Sequence, residues 1–264
     1  SVFEHPEFGR IRTLDIDGIL KLAGKAPELS IPEFSDLIRK DSAFGYRSAE
    51  KVRIGVADDE AFCFFYADNL SLLEQMGAEL VHFSPIHDTE LPGDLDGLLL
   101  CGGYPELNGK ALEENQEMCS SIRKALEGGM PCLAECGGFM YLHQEMEDME
   151  GNFRKVCGVI PGRSFRTPKL TRFGYITLTE KKDSGLGEIP AHEFHYFDST
   201  DCGTDFHASK PASTRGWDCM HYEGRLMAGF PHLYYYGNPK VPVHFLKNAL
   251  EYKKERRQKK DAEI

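Results

Sequence analysis

The chain has 264 residues, long enough to bury a substantial core, and its 41% hydrophobic and 28% charged residues are ordinary globular composition that excludes long-range disorder. Lysine and arginine number 31 against 42 acidic residues, and the resulting net charge of −11 argues against a general nucleic-acid-binding role. No run approaches the ~18 uninterrupted apolar residues of a membrane helix, and no signal-peptide pattern is present.

The eight cysteines show no CxxC pair and no framework spacing. They are expected to be reduced thiols of a cytoplasmic protein, not disulfides or a zinc site. The chain opens on Ser1, so the expectation is a processed protein or a piece of a longer one.

In chain order, residues 1–50 do not read as the start of a compact fold. A helix is expected over 15–23, carried by Ile16, Ile19, Leu20, Leu22 and Ala23. A Pro- and Lys-containing stretch follows over 24–32, then Phe34, Leu37, Ile38 and a charged run to Lys51. The segment reads as a linker or the trailing edge of an upstream domain.

From Val52 the texture changes. Residues 52–57 are a β-branched apolar strand, and 67–77 carry Leu70, Leu72, Leu73 and Met76 at helical spacing before stopping at Gly77. Strands are expected over 79–83 and 96–101, one amphipathic helix over 110–127, a buried strand over 130–134 and a helix over 139–146. Strands alternating with helices in this way predict βαβ units and a mostly parallel α/β sheet. Beyond Glu150 the pattern becomes strands and turns, with strands over 155–161, 174–180, 192–197 and 226–230. A helix over about 241–253 closes the domain, and the basic run 253–260 reads as a frayed, solvated helix end.

The most informative segment is PCLAECGGFMYL, residues 131–142. A buried strand runs into Cys136, two glycines follow, and a helix begins at once, the strand–turn–helix pattern of a nucleophile elbow with cysteine in place of serine. Such a turn presents the sulfur at the sheet edge, and backbone N–H groups at the helix start can hold an oxyanion. The strand ending in Gly102 and Gly103 reaches the same edge and could supply a second N–H donor, since ligands of open α/β sheets sit at the carboxyl ends of strands. A cysteine nucleophile needs an imidazole to accept its proton. His192 and His195 in AHEFHYF, and His232 after the late strand, all compete for that role, and periodicity does not choose among them. His192 and His195, three apart on a strand, face opposite sides. No GxxxxGK[ST] and no GxGxxG in a strand–helix context is present, so neither a P-loop nor a Rossmann turn is expected.

These segments together resemble one family. Residues 57–92, ADDEAFCFFYADNLSLLEQMGAELVHFSPIHDTELP, followed by GGYPE, AECGGFMYL, HEFHY and a late PHL segment, resemble in order the glutamine amidotransferase domain of the cobyrinic acid a,c-diamide synthases. The resemblance covers roughly residues 50–250, and DIDGILKLA, 15–23, resembles the tail of that family's N-terminal ATP-dependent domain. It implies a flavodoxin-like, class I glutamine amidotransferase fold over 51–252, with 1–50 a linker and the tail of the ATP-dependent domain, and a basic tail over 253–264.

It also implies Cys136 as nucleophile, His232 as activating base, and Gly102, Gly103 and Gly137 at the oxyanion and glutamine site. Triad amidotransferases carry Glu two residues after the histidine. Tyr234 stands there in this chain, so the orienting acid is expected to come from elsewhere or to be absent, with Glu193 and Asp59 as candidates. The resemblance implies glutamine as donor and no metal or cofactor in this chain, with ATP and magnesium on the N-terminal domain. That domain would bring in the acceptor, a cobalt corrinoid or a related tetrapyrrole. A homodimer fits the same expectation. Two rivals remain at this stage: the same chemistry on a nickel tetrapyrrole, and a redox-sensing elbow cysteine without catalysis.

Overall fold

The computed structural model describes residues 15–28, 33–182 and 184–262, and the chain divides into one unit through Lys40 and another from Asp41 onward. In the first, α1 (Ile16–Ala23) is capped by Asp15, whose side chain accepts from Gly18 N at 2.9 Å, and α2 (Phe34–Lys40) follows. The helical pattern of α1 forms its helix, yet Ile16, Ile19, Leu20 and Leu22 are exposed. Of the stretches assigned to linker and loop, residues 1–14 and 29–32 lie outside the described residues.

The second unit begins with a 3-10 turn (Ser42–Gly45) and then alternates strand and helix: β1 (Val52–Ala57), α3 (Ala67–Gln75), β2 (Ala78–Phe83) and β3 (Gly97–Leu100). A 3-10 turn (Pro105–Asn108) leads to α4 (Gly109–Glu114), α5 (Gln116–Glu127), β4 (Cys132–Glu135) and α6 (Gly137–Leu142). Short strands come next: β5 (His143–Glu147), β6 (Phe153–Lys155), β7 (Ile160–Arg166), β8 (Arg172–Glu180), β9 (Glu188–His195) and β10 (Phe197–Ser199). The chain ends with β11 (Phe206–Ser209), β12 (Gly216–Cys219), β13 (His221–Glu223), β14 (Leu226–Gly229), β15 (His232–Leu233) and α7 (Lys240–Ala262).

The main sheet runs β2-β1-β3-β4-β14-β13. Every pairing from β2 to β14 is parallel and only edge strand β13 is antiparallel, which is the flavodoxin-like order with an added edge. Its central strands are apolar on both faces because helices cover both: Ile54, Val56, Leu98, Leu100 and Leu133 are all buried. Two smaller sheets, β10-β7-β5-β6 and β12-β11-β8-β9-β15, are built from the strand-rich second half.

Several expected elements change for tertiary reasons. The single helix over 110–127 is broken at Asn115, whose side chain caps Met118 N and also donates to Pro85 O and Asp88 O. The helix expected over 139–146 stops at Leu142. From His143 the chain joins a sheet, between β6 and β7, and inter-strand hydrogen bonds override the helical spacing of a short amphipathic run. Of the strand expected over 155–161 only the two ends are strand, in β6 and β7, with 156–159 a connection between them, and that over 192–197 resolves into β9 and β10.

The basic run 253–260 is not a frayed end. It continues α7, and Arg256 lies 2.9 Å from the fully buried Asp96 and 2.5 Å from Asp94. Lys253 stands 3.5 Å from Asp96, and Arg257 pairs with Glu50 at 2.7 Å. A carboxylate buried at the start of β3 demands cations, and the last turns of α7 supply them. Residues 263–264 lie outside the described residues.

Candidate active site

Cys136 leaves β4 with φ +47° and ψ −104°, a backbone strained for any residue but glycine, and α6 begins at the next residue. The turn is held at its neck by Cys136 N donating to Gly229 O at 2.8 Å and Gly138 N donating to Cys101 O at 3.0 Å. It can be this tight because Gly138 lies directly against the Leu100 carbonyl, where no side chain fits.

Strand pairing sets the partner. β14 lies parallel to β4 with Gly229 opposite Glu135, so both strands end at the same edge. Phe230 and Pro231 then carry the chain to His232, which is buried and hydrogen-bonded to Cys136. The Phe64 ring stands edge-on to the imidazole, centroids 4.8 Å apart, and Gly102 lies so close that a Cβ there would be 2.5 Å from His232 Cε1. Asn69 fixes the segment beyond: its side chain donates to Leu233 O at 2.8 Å and accepts from Tyr235 N at 2.9 Å.

The carboxylate beside the imidazole is Glu135. Its Oε2 is 3.5 Å from His232 Nδ1, and its Oε1 accepts from Leu233 N at 3.3 Å. Burial opposes a charged imidazole at His232. The hydrogen bond and charge of Cys136, and then those of Glu135, outweigh it and raise the pKa to about 10.

The two acids expected for that position are engaged elsewhere. Glu193 is fully buried, 3.3 Å from His195 Nε2 and 3.4 Å from Trp217 Nε1. Asp59 folds the loop after β1, accepting from Ala61 N, Phe62 N, Ser84 Oγ and Ile86 N. Glu193 fails because it shares a face with His195, whose ring stacks on Phe230 with centroids 4.1 Å apart and whose Nδ1 meets Phe197 O at 2.6 Å. His192, on the opposite face of β9, lies at the rim of the Cys136 cavity, where burial and then the charge of His232 lower its pKa.

Gly103 and Gly137 approach closely in front of the sulfur: a Cβ on Gly137 would stand 3.1 Å from Gly103 N. Gly137 opens α6, where a helix leaves its N–H without an internal acceptor. Among the described residues, no group of three or more His, Cys, Asp or Glu side chains is arranged to hold a metal ion.

Residues 53–239 match the CobB/CobQ-like glutamine amidotransferase domain. The chain belongs to that family. It is 37% identical over 229 residues to a cobyrinate a,c-diamide synthase of Caldanaerobacter subterraneus, covering 84% of this chain and 48% of that protein. It is 41% identical over 191 residues to a protein of the same name from Fusobacterium nucleatum, covering 71% of this chain and 42% of the relative. The chain spans about half the length of the curated relatives it matches. A solved glutamine amidotransferase superposes with TM-score 0.54 at 19% identity, over 74% of this chain and 98% of the other, and shares the fold.

Within this amidotransferase domain, Glu135 is the residue that sequence reasoning missed. A signal existed: it is the one charged residue at the end of an otherwise apolar strand, and such a buried charge needs a partner.

Proposed function

We propose that this chain is the glutamine-hydrolysing part of an ATP-dependent amidotransferase acting on the a and c acetate side chains of cobyrinic acid. The observation that carries the reading is the strained Cys136 hydrogen-bonded to His232, with Glu135 behind the imidazole. In this scheme His232 accepts the Cys136 proton, and the sulfur attacks the carboxamide carbon of glutamine. The N–H groups of Gly137 and Gly103 stabilise the oxyanion that forms. The imidazolium, held by Glu135, returns its proton to the departing nitrogen, and ammonia leaves with a glutamyl thioester on Cys136. His232 then takes a proton from water, the hydroxyl oxygen attacks the thioester, and glutamate and the thiol are released.

The relatives' names, cobyrinate a,c-diamide synthase, support this acceptor, and in this reading ATP and magnesium would activate its carboxylates on a part of the enzyme outside this chain. Cys136→Ala in the full-length enzyme tests the reading. Glutamine-dependent amidation should be lost while amidation from free ammonia persists. Retention of glutamine use in that variant overturns it.

A further inference from the structure

Two residues of the HEFHY segment, Glu193 and His195, have no part in the proposed reaction, yet both are buried at the end of β9. A carboxylate and an imidazole in a protein interior need partners, and a well-packed apolar pair would serve stability as well. What the polar pair adds is a fixed ring plane. His195 Nδ1 lies 2.6 Å from Phe197 O and Nε2 lies 3.3 Å from Glu193 Oε2, so the imidazole is tethered at both nitrogens. Glu193 is held in turn by Trp217 Nε1, which donates to its Oε1 at 3.4 Å. The buried Phe230 lies flat on that plane, with centroids 4.1 Å apart and the rings 8° from parallel. It also meets Phe139 edge-on at 5.1 Å, and Phe139 belongs to α6, the helix that starts at the elbow.

Phe230 stands where the chain crosses from one sheet to another. β14 ends at Gly229, whose carbonyl accepts from Cys136 N at 2.8 Å, and belongs with the nucleophile's strand to the main sheet. β15 begins at His232 and belongs to the five-stranded sheet, where His232 pairs with His192. Nucleophile and base are therefore carried by different sheets, joined here only by Phe230 and Pro231. Proline fixes φ near about −65°, so the direction in which the chain reaches His232 follows closely from where Phe230 is held. β15 has only two residues, a short ladder for a base whose misplacement by about 1 Å can cost ~100-fold in rate.

We propose that His195 is a positioning residue for the base: tethered by Glu193 and Phe197, it clamps Phe230 and thereby fixes His232 against Cys136. The inference rests on the glutaminase reading of Cys136 and His232 and adds to it the groups that hold the two sheets in register. The His195 ring borders the cavity at Cys136, but with both nitrogens engaged by protein acceptors it acts through Phe230.

Steady-state glutamine hydrolysis and an NMR titration of His232, both on the full-length enzyme, test the clamp. His195→Leu and Phe230→Leu should each lower kcat ~10–100-fold and leave KM within ~2-fold. Each should also move the His232 titration down from about 10 toward 6.5, because the imidazole leaves the thiol and carboxylate that raise it. His195→Phe, which restores a flat partner without the hydrogen bonds, should recover part of the loss. The double variant should lose no more than the worse single one, because both act on one stack. Asp96→Asn, which weakens α7 away from this clamp, should lower the melting temperature and change neither kcat nor the titration, so that positioning is told apart from lost stability. Where circular dichroism shows His195→Leu to be unfolded, Phe230→Leu and His195→Phe make the comparison with wild type. Wild-type kcat and titration in the folded variants, multiplied losses in the double variant, or a loss confined to KM would each overturn the clamp. A wild-type enzyme that releases no glutamate refutes the glutaminase reading instead, and the titration then decides the positioning by itself.

Discussion

Glu135 and His232 meet edge to edge, a carboxylate oxygen 3.5 Å from the imidazole Nδ1, because β4 and β14 are parallel neighbours ending at one level. In the proposed glutaminase scheme, the residue that orients the base is therefore the one immediately before the nucleophile. Glu135→Gln removes the negative charge and keeps the shape. It should lower kcat for glutamine hydrolysis ~10–100-fold with little change in KM, and move the His232 titration down from about 10 toward 6.5. Steady-state kinetics and an NMR titration of His232 check both. An unchanged titration would show that Glu135 does not act on the imidazole.

Gly102 has no room for a side chain on its His232 side, since a Cβ would lie 2.5 Å from Cε1. Gly102→Ala should push the imidazole off the sulfur and reduce glutamine hydrolysis at least ~10-fold. The loss should appear in kcat, and the melting temperature should move by no more than a few degrees because the displaced ring faces a cavity. Full activity in this variant would mean that His232 tolerates displacement and that its contact with Cys136 is not needed.

The raised pKa of His232 also sets a pH dependence. A group whose pKa is higher in the folded state contributes stability that is complete below its unfolded value of about 6.5 and is lost as pH rises toward about 10. The stability difference between wild type and His232→Gln, measured by urea unfolding, should therefore shrink in wild type's disfavour between pH 6.5 and 10. A difference that stays flat or grows over that window contradicts the assignment.

Asp96 is the anchor of α7. It is fully buried, accepts from Arg53 N at 2.9 Å and faces Lys253 and Arg256. Asp96→Asn keeps the backbone contact and strips the counter-charge from two cations, at a cost of about 2–4 kcal/mol. Hydrogen exchange should show lost protection over 253–260, with the Cys136 region unaffected. Protection retained there would mean that the helix end is held by Asp94 and Glu50 alone.

Local patterns in the amino-acid sequence were enough to determine the alternating strands and helices of the first half, the elbow at Cys136 and the strand leading toward His232. Each of these depends on residues within one or two turns of each other: an apolar run, a glycine pair, a helical repeat. Even there, a short amphipathic run such as 143–147 fits a helix as well as a strand, and the choice went to the sheet that offered it partners on both sides. Asn115 broke a well-patterned helix because carbonyls at Pro85 and Asp88 came within its reach.

The acid behind His232 was decided wholly by tertiary structure. The family resemblance pointed to the position of Tyr234 and left Glu193 and Asp59 as substitutes, but strand register brought Glu135 there and committed the other two to His195 and to the loop after β1. The basic tail followed the same rule, since its cations acquire partners only once β3 carries Asp96 beneath α7. A charge's role depends on which opposite charge lies within a few ångströms, and in a parallel sheet that neighbour comes from a distant part of the chain.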